Sequence, residues 1–236
     1  MRLAALVSGG KDSVLALYRA QQMGHEIKVL ATMVSNRSDS YMFHFPNIHL
    51  TDYVSKALEI PLVKAETSGI KEKELDDLKK LLASLDVDGV VTGAIASTYQ
   101  KERIDKLCNE LGIKSVAPLW QQDPLDIMKE LLDLKFKVIL VGVYAYGLDQ
   151  TWLGQQITTK TLEKLVKLHE KYQISLVGEG GEYESLVLDA PIFKKRIEIV
   201  QAESNYENNS GVLTIKKAKL VDKKEDTNTC TRQPSN

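Results

Sequence analysis

One hexapeptide, Ser8-Gly9-Gly10-Lys11-Asp12-Ser13, combines residue types that bind phosphate groups. It lies between an apolar stretch typical of a strand and a pattern that predicts a helix. The glycines allow backbone N–H groups of the loop and of the helix N-terminus to point at one anion. The two serines add hydroxyl donors, Lys11 adds a positive charge, and Asp12 could bind Mg²⁺ or cap the helix. The spacing is neither that of a Walker A loop nor G-x-G-x-x-G, and the competing interpretation is a tight turn capped by Asp12.

A second segment, Gly178–Ser185, concentrates negative charge by placing Glu179, Glu182 and Glu184 among three glycines within eight residues. Like charges this close repel one another, so the arrangement makes sense around a cation. Magnesium, ammonium, or a quaternary ammonium group with Tyr183 as an aromatic wall would fit. A solvated acidic turn is the competing interpretation, and the residue types alone do not decide between them.

A third segment begins at Gly93, directly after a predicted strand, where Ser97 and Gln100 form the pattern of a capping box. Gln100 and Arg103 could reach a phosphate or a substrate carboxylate, and the competing interpretation of Arg103 is a surface ion-pair partner on an exposed helix face. His169 falls on an apolar stripe and is expected to pack.

Cys108 lies on the inward stripe of a predicted helix and is expected to be a core residue. Cys230, the second cysteine, is far away in the sequence, and no CxxC pair exists. A disulfide scaffold and a structural zinc site are therefore excluded, and a reducing compartment fits.

Strands and helices must position these segments. In the first half of the chain, patterns typical of strands alternate with patterns typical of helices. We predict a doubly wound parallel α/β sheet, with ligands at the carboxyl ends of its strands. The predicted strands are Leu3–Val7, Ile27–Val34, Leu62–Lys64, Gly89–Thr92 and Ser115–Ala117.

After Pro118 and Pro124 the pattern changes, and a strand at Val138–Val143 is followed by a helix at Thr159–Tyr172. An antiparallel pair linked by Asn205–Gly211 completes a second, smaller α+β unit. The predicted domains are therefore residues 1–122 and 123–222, followed by a polar tail at 223–236.

The composition limits the function classes. The chain has 236 residues and a formal net charge of −1, so no global basic field exists and stable nucleic-acid binding is not expected. The longest apolar runs are far shorter than the roughly 18 residues that span a bilayer. We expect a cytoplasmic protein without membrane contact.

The hexapeptide resembles the pyrophosphate-binding loop of the N-type ATP pyrophosphatases. Gly178–Ser185, with Leu188–Pro191 and Phe193–Lys195 after it, is similar to the signature of the diphthine–ammonia ligases (diphthamide synthetases). Further blocks of the resemblance are Asp39–His44, Gly93–Arg103, Pro118–Trp120 and Gly147–Gly154, so that it covers roughly residues 1 to 200. Longer eukaryotic members carry additional C-terminal domains, and this chain is expected to match the short archaeal form.

The resemblance implies an adenine-nucleotide α-hydrolase-like first domain that uses ATP and Mg²⁺. The implied reaction is amidation of diphthine on elongation factor 2 with ammonium, through an acyl-adenylate, giving diphthamide, AMP and pyrophosphate. A homo-oligomer is possible. The alternatives are another N-type ATP pyrophosphatase, such as a tRNA-modifying enzyme, and a non-catalytic ATP-binding regulatory module. The first would need a catalytic cysteine and a basic surface, and the second has no use for the glutamate cluster.

The site residues that follow from these observations fall into four groups. The catalytic set is Lys11, Asp12, Arg103, Glu179, Glu182 and Glu184, and the ATP-binding set is Ser8, Gly9, Gly10, Lys11, Asp12, Ser13 and Gly93. The substrate-binding set is Tyr41, His44, Tyr99, Gln100, Arg103, Gly180, Gly181 and Tyr183. Asp12 is the predicted metal ligand.

Overall fold

The computed structural model describes residues 1–35, 47–68, 70 and 73–223. Its first half contains five strands that form one parallel sheet in the order β3-β2-β1-β4-β5. The strands are β1 Arg2–Leu6, β2 Glu26–Ser35, β3 Leu62–Thr67, β4 Gly89–Val91 and β5 Lys114–Val116. The helices are α1 Lys11–Gln22, α2 Thr51–Leu58, α3 Lys73–Ala83 and α4 Thr98–Leu111, with a 3-10 turn at Ile48–Leu50. The predicted doubly wound α/β sheet is confirmed, and its strand order reverses between β1 and β4.

The second half forms an antiparallel sheet in the order β7-β6-β9-β8, as expected for a smaller α+β unit. Its strands are β6 Lys137–Val143, β7 Tyr183–Asp189, β8 Lys195–Glu207 and β9 Ser210–Asp222. Its helices are α5 Pro124–Asp133 and α6 Thr159–Tyr172, with a 3-10 turn at Gln150–Trp152.

Two features of this sheet differ from the expectation. The predicted link Asn205–Gly211 is wrong, because β8 and β9 pair as far as Glu207 and Ser210. Asn208 and Asn209 alone make the turn, with φ angles of 51° and 59°, which asparagine tolerates better than most residues. The strand β7 was not expected, because its first three residues belong to the segment Gly178–Ser185, here called the acidic segment, whose composition is typical of a loop.

The two halves share their hydrophobic core. One cluster of buried side chains joins Leu3 and Leu15 of the first half to Leu140 and Val143 of the second. The segment around α2 adds hydrogen bonds across the junction. Asn47 Nδ2 donates to the carbonyl of Leu213 (2.8 Å), and Asn47 Oδ1 accepts from the N–H of Ile215 (2.7 Å).

Among the described residues, no helix combines the length and the apolar composition that crossing a bilayer requires.

Candidate active site

A cleft of about 440 Å³ opens at the carboxyl ends of β1 and β4. It brings together twelve of the predicted site residues: Ser8, Gly10, Lys11, Asp12, Ser13, Gly93, Gln100, Glu179, Gly180, Gly181, Tyr183 and Glu184. A larger groove of about 590 Å³ lies between α5 and α6 and contains none of them. The cleft is therefore the candidate active site, and it lies where the strand order reverses.

The hexapeptide loop forms a compact turn before α1. Gly9 has a φ of +86°, a conformation that side chains disfavour. Ser13 Oγ donates to the carbonyl of Gly10 (3.0 Å), and the N–H of Gly10 donates to Ser8 Oγ (3.3 Å). Gly9 itself does not line the cleft, because its carbonyl accepts from the N–H of Val187 in β7 (2.9 Å). The second half of the chain thus holds this loop in place.

Lys11 is buried, with only 1% of its surface exposed. Its Nζ donates to Asp12 Oδ2 (2.9 Å) and to the carbonyl of Val177, and lies 5.1 Å from the centroid of the Tyr183 ring. Burial disfavours the charged ammonium, but the Asp12 carboxylate outweighs it, so the pKa of Lys11 lies above its ordinary value. The charge expected to face phosphate is therefore engaged inside the protein, where it joins the loop to the second half.

Asp12 presents one oxygen that has no partner. Its Oδ1 is buried and accepts no hydrogen bond from the described residues, whereas Oδ2 binds Lys11. Burial raises the pKa of Asp12, against the opposing effect of Lys11. Within the described part of the chain, no group of three or more His, Cys, Asp or Glu side chains could hold a metal ion alone.

Gly93 allows the loop after β4 to approach α1 closely. A Cβ at this position would lie 2.7 Å from both the carbonyl carbon of Asp12 and the backbone nitrogen of Ser13. Since these are backbone atoms, the first turn of α1 would have to move to accommodate any side chain. Ser97 caps α4, as predicted, by accepting from the N–H of Gln100 (3.4 Å).

The three glutamates of the acidic segment have different surroundings. Glu179 Oε1 accepts from three consecutive backbone N–H groups, those of Ile95 (3.0 Å), Ala96 (2.5 Å) and Ser97 (2.9 Å). Glu182 does not line the cleft, and its Oε1 accepts from the N–H of Ser175 (2.8 Å). The residues therefore do not form one cation cage.

Glu184 lines the cleft, and its carboxylate accepts no hydrogen bond from the described residues. Burial raises its pKa to about 7, while Lys11 lowers it and Asp12 raises it further. Tyr144 stands nearby, and its own pKa is raised to about 12 by burial and by the Glu184 charge. A carboxyl with this pKa can exchange a proton near neutral pH.

Tyr183 is 3% exposed, and its hydroxyl donates to the carbonyl of Leu176 (2.7 Å). Lys11 Nζ lies over the Tyr183 ring, so a cation of the protein itself occupies one face of the ring that was expected to contact a quaternary ammonium group.

Tyr99 and Arg103 lie outside the cleft lining, with the guanidinium carbon 3.5 Å from the Tyr99 ring centroid. Tyr41 and His44 lie outside the described residues.

Three polar residues of the cleft, Thr92, Ser97 and Ser185, were not predicted as site residues. Ser185 Oγ accepts from the N–H of Lys11 (3.2 Å), and Thr92 Oγ1 is buried without a hydrogen bond from the described residues. Thr92 directly precedes Gly93, and Ser185 is the last residue of the acidic segment, so their position in the sequence was the available signal. Cys108 is buried, with its pKa raised to about 11 by burial, and His169 Nδ1 bonds the carbonyl of Ile174 (2.7 Å). The expected core position of Cys108 is confirmed, whereas the packing role expected of His169 stays a prediction.

Comparison with known proteins identifies the family. The chain matches the diphthamide synthase N-terminal domain over residues 1–115 and the diphthamide synthase C-terminal domain over residues 123–221. It is 34% identical to the diphthine–ammonia ligase of Homo sapiens over 230 residues, which cover 86% of this chain and 84% of that protein. The match to the Schizosaccharomyces pombe diphthine–ammonia ligase is 33% identical and covers 95% of this chain, but this chain spans only 40% of that protein's length. The chain therefore belongs to the diphthamide synthase family, the diphthine–ammonia ligases.

Proposed function

We propose that the protein is a cytoplasmic diphthine–ammonia ligase that amidates the diphthine carboxylate of elongation factor 2 with ammonium and ATP. The observation that carries this proposal is the cleft, in which the hexapeptide loop faces the acidic segment of the second half. A phosphate-binding loop alone would serve many ATP-binding proteins, whereas the adjoining carboxylates suit a cationic nitrogen substrate. Membership of the family supports the same activity.

The reaction needs activation because a carboxylate at neutral pH has no good leaving group. The diphthine carboxylate attacks the α-phosphorus of ATP, which forms an acyl-adenylate and breaks the bond to pyrophosphate. Ammonia then attacks the activated carbonyl, and the C–O bond to AMP breaks. The N–H groups and hydroxyls of Ser8–Ser13 would stabilise the departing pyrophosphate.

Asp12 fits a magnesium ion bound together with the nucleotide. Mg²⁺ in nucleotide sites usually takes one or two carboxylates, and substrate phosphates and water complete its shell. Asp12 Oδ1 is such an oxygen, since it is buried and has no partner among the described residues. When bound, Mg²⁺ would neutralise charge on the pyrophosphate.

The test is mass spectrometry of diphthine-bearing elongation factor 2 after incubation with the protein, Mg-ATP and ammonium. We expect acid-to-amide conversion with one AMP formed per amide. The isosteric variant Asp12→Asn is the control and should lose AMP formation while it stays folded. AMP without amide would point to a different acceptor, and no AMP at all would favour the non-catalytic module.

A further inference from the structure

We propose that Glu184, alone among the three glutamates of the acidic segment, binds ammonium and accepts its proton, whereas Glu179 positions the loop after β4. This assignment rests on the proposed function, because it concerns the amidation step of that reaction. The argument is one of geometry: each carboxylate has a different set of partners.

Glu179 is engaged by the protein itself. A single oxygen accepts three backbone N–H groups at the start of α4, which is the arrangement that normally holds an anion. This oxygen is therefore already occupied by backbone donors of the protein. Glu179 therefore ties the loop Gly178–Gly181 to the loop after β4, and both loops form walls of the cleft.

Glu182 is turned away from the cleft. Its Oε1 accepts from Ser175, seven residues earlier, and so braces the turn that leads into β7. Its backbone carbonyl also accepts from the N–H of Tyr144 (2.8 Å). Glu182 thus stabilises the acidic segment and does not reach the space where ammonium must meet the acyl-adenylate.

Glu184 faces the cleft with its carboxylate free of hydrogen bonds from the described residues. Lys11 and Asp12 are the charged groups that act on it from α1. Lys11 pairs with Asp12, and Glu184 forms no salt bridge with any of the described residues, so its carboxylate can bind a small cation.

Tyr144 shields Glu184 from one side. Gly142 is the cross-strand partner of Glu184, so substituents at both positions extend from the same face of the sheet. The Tyr144 hydroxyl lies 2.5 Å from the place where a Cβ of Gly142 would stand, so its ring covers that face. The ring therefore limits the access of water to Glu184, which favours proton transfer from a bound ammonium.

The proton and electron balance is simple. Ammonium transfers one proton to the Glu184 carboxylate, and the lone pair that is released forms the C–N bond to the adenylate carbonyl. The C–O bond to AMP breaks, and AMP departs with its electron pair. The second proton leaves the nitrogen as the tetrahedral intermediate collapses and passes to solvent.

Hydroxylamine, used as an alternative nucleophile, distinguishes a proton acceptor from other roles of Glu184. At pH 8 hydroxylamine is already neutral and needs no proton acceptor before it attacks. We expect Glu184→Gln to lower the turnover with ammonium by about 100-fold or more, the usual contribution of a general base. The same variant should form hydroxamate within a few-fold of the wild-type rate. Pyrophosphate exchange into ATP that depends on diphthine should also persist.

Glu179→Gln and Glu182→Gln are the matched controls. Each of these variants should change the turnover with ammonium and the turnover with hydroxylamine by the same factor. Glu179→Gln should in addition raise the KM for ATP, because it loosens the loop after β4. The assignment is overturned if Glu184→Gln keeps its ammonium turnover, or if it loses both nucleophiles equally while folded. A wild-type protein that forms neither amide nor hydroxamate would instead refute the proposed function.

Discussion

Substituting alanine for Gly93 tests whether close contact between two backbones positions the nucleotide loop. The added Cβ would stand 2.7 Å from two backbone atoms of α1, about 0.7 Å inside the 3.4 Å at which ordinary contact begins. Neither atom belongs to a flexible side chain, so α1 and the loop after β4 must move apart. Such overpacking costs about 1–3 kcal/mol of unfolding free energy.

The same displacement affects the chemistry, because the first turn of α1 carries Lys11, Asp12 and Ser13. A misplacement of about 1 Å can lower a rate by about 100-fold. We therefore expect kcat/KM for ATP to fall by about 10- to 100-fold in Gly93→Ala. The melting temperature should fall by roughly 3–10 °C, given the size of the chain. The assays are AMP formation over a range of ATP concentrations and thermal unfolding followed by circular dichroism.

Gly24→Ala is a suitable control at the other end of α1. Gly24 has a φ of +80° and no atom within 4 Å of its Cβ position, so alanine there meets strain but no clash. The melting temperature of Gly24→Ala should also fall, by an amount that corresponds to about 1–2 kcal/mol of unfolding free energy, while its KM for ATP stays unchanged. If Gly93→Ala combined a wild-type KM for ATP with a wild-type melting temperature, the close-contact argument would be wrong.

Three further predictions concern stability. Lys11→Met should lower the unfolding free energy by about 3–5 kcal/mol, since it leaves Asp12 and the carbonyl of Val177 without their buried partner; a urea titration showing less than 1 kcal/mol would contradict this. The pKa of Glu184 is raised from 4.5 to about 7, so its ionisation destabilises the fold as pH rises through that interval, and Glu184→Gln should be more stable at pH 8 by up to about 3 kcal/mol. Measuring the unfolding free energy of the wild-type protein and of Glu184→Gln between pH 4.5 and 8 would show whether their difference in stability depends on pH in another way. Asn47→Ala removes two hydrogen bonds between the halves and should cost about 2 kcal/mol by the same titration, whereas a neutral result would make that contact dispensable.

Much of the fold and of the cleft followed from local patterns. The apolar stretches predicted all five strands of the first sheet, and Ser97 predicted the start of α4. The glycine-rich hexapeptide could be recognised because phosphate binding depends on backbone N–H groups, which a short sequence specifies.

The division among the glutamates could not be predicted in this way. All three are the same residue type in one segment, and their roles depend on contacts with Ile95, Ser175 and the cleft, which only the fold brings near. The contact of Lys11 with Val177 could not be predicted for the same reason, because Val177 lies in the other half of the chain. Long-range partners set what a charged side chain faces, and local sequence does not encode them.

The attachment of the hexapeptide to β7 has a consequence for synthesis of the protein. Lys11 and Ser185 are 174 residues apart, and their hydrogen bond, with that between Gly9 and Val187, completes the loop. In a nascent chain, the hexapeptide loop therefore lacks these contacts until β7 has left the ribosome. Translation that stops before β7 would release fragments in which the hexapeptide loop lacks both of these hydrogen bonds.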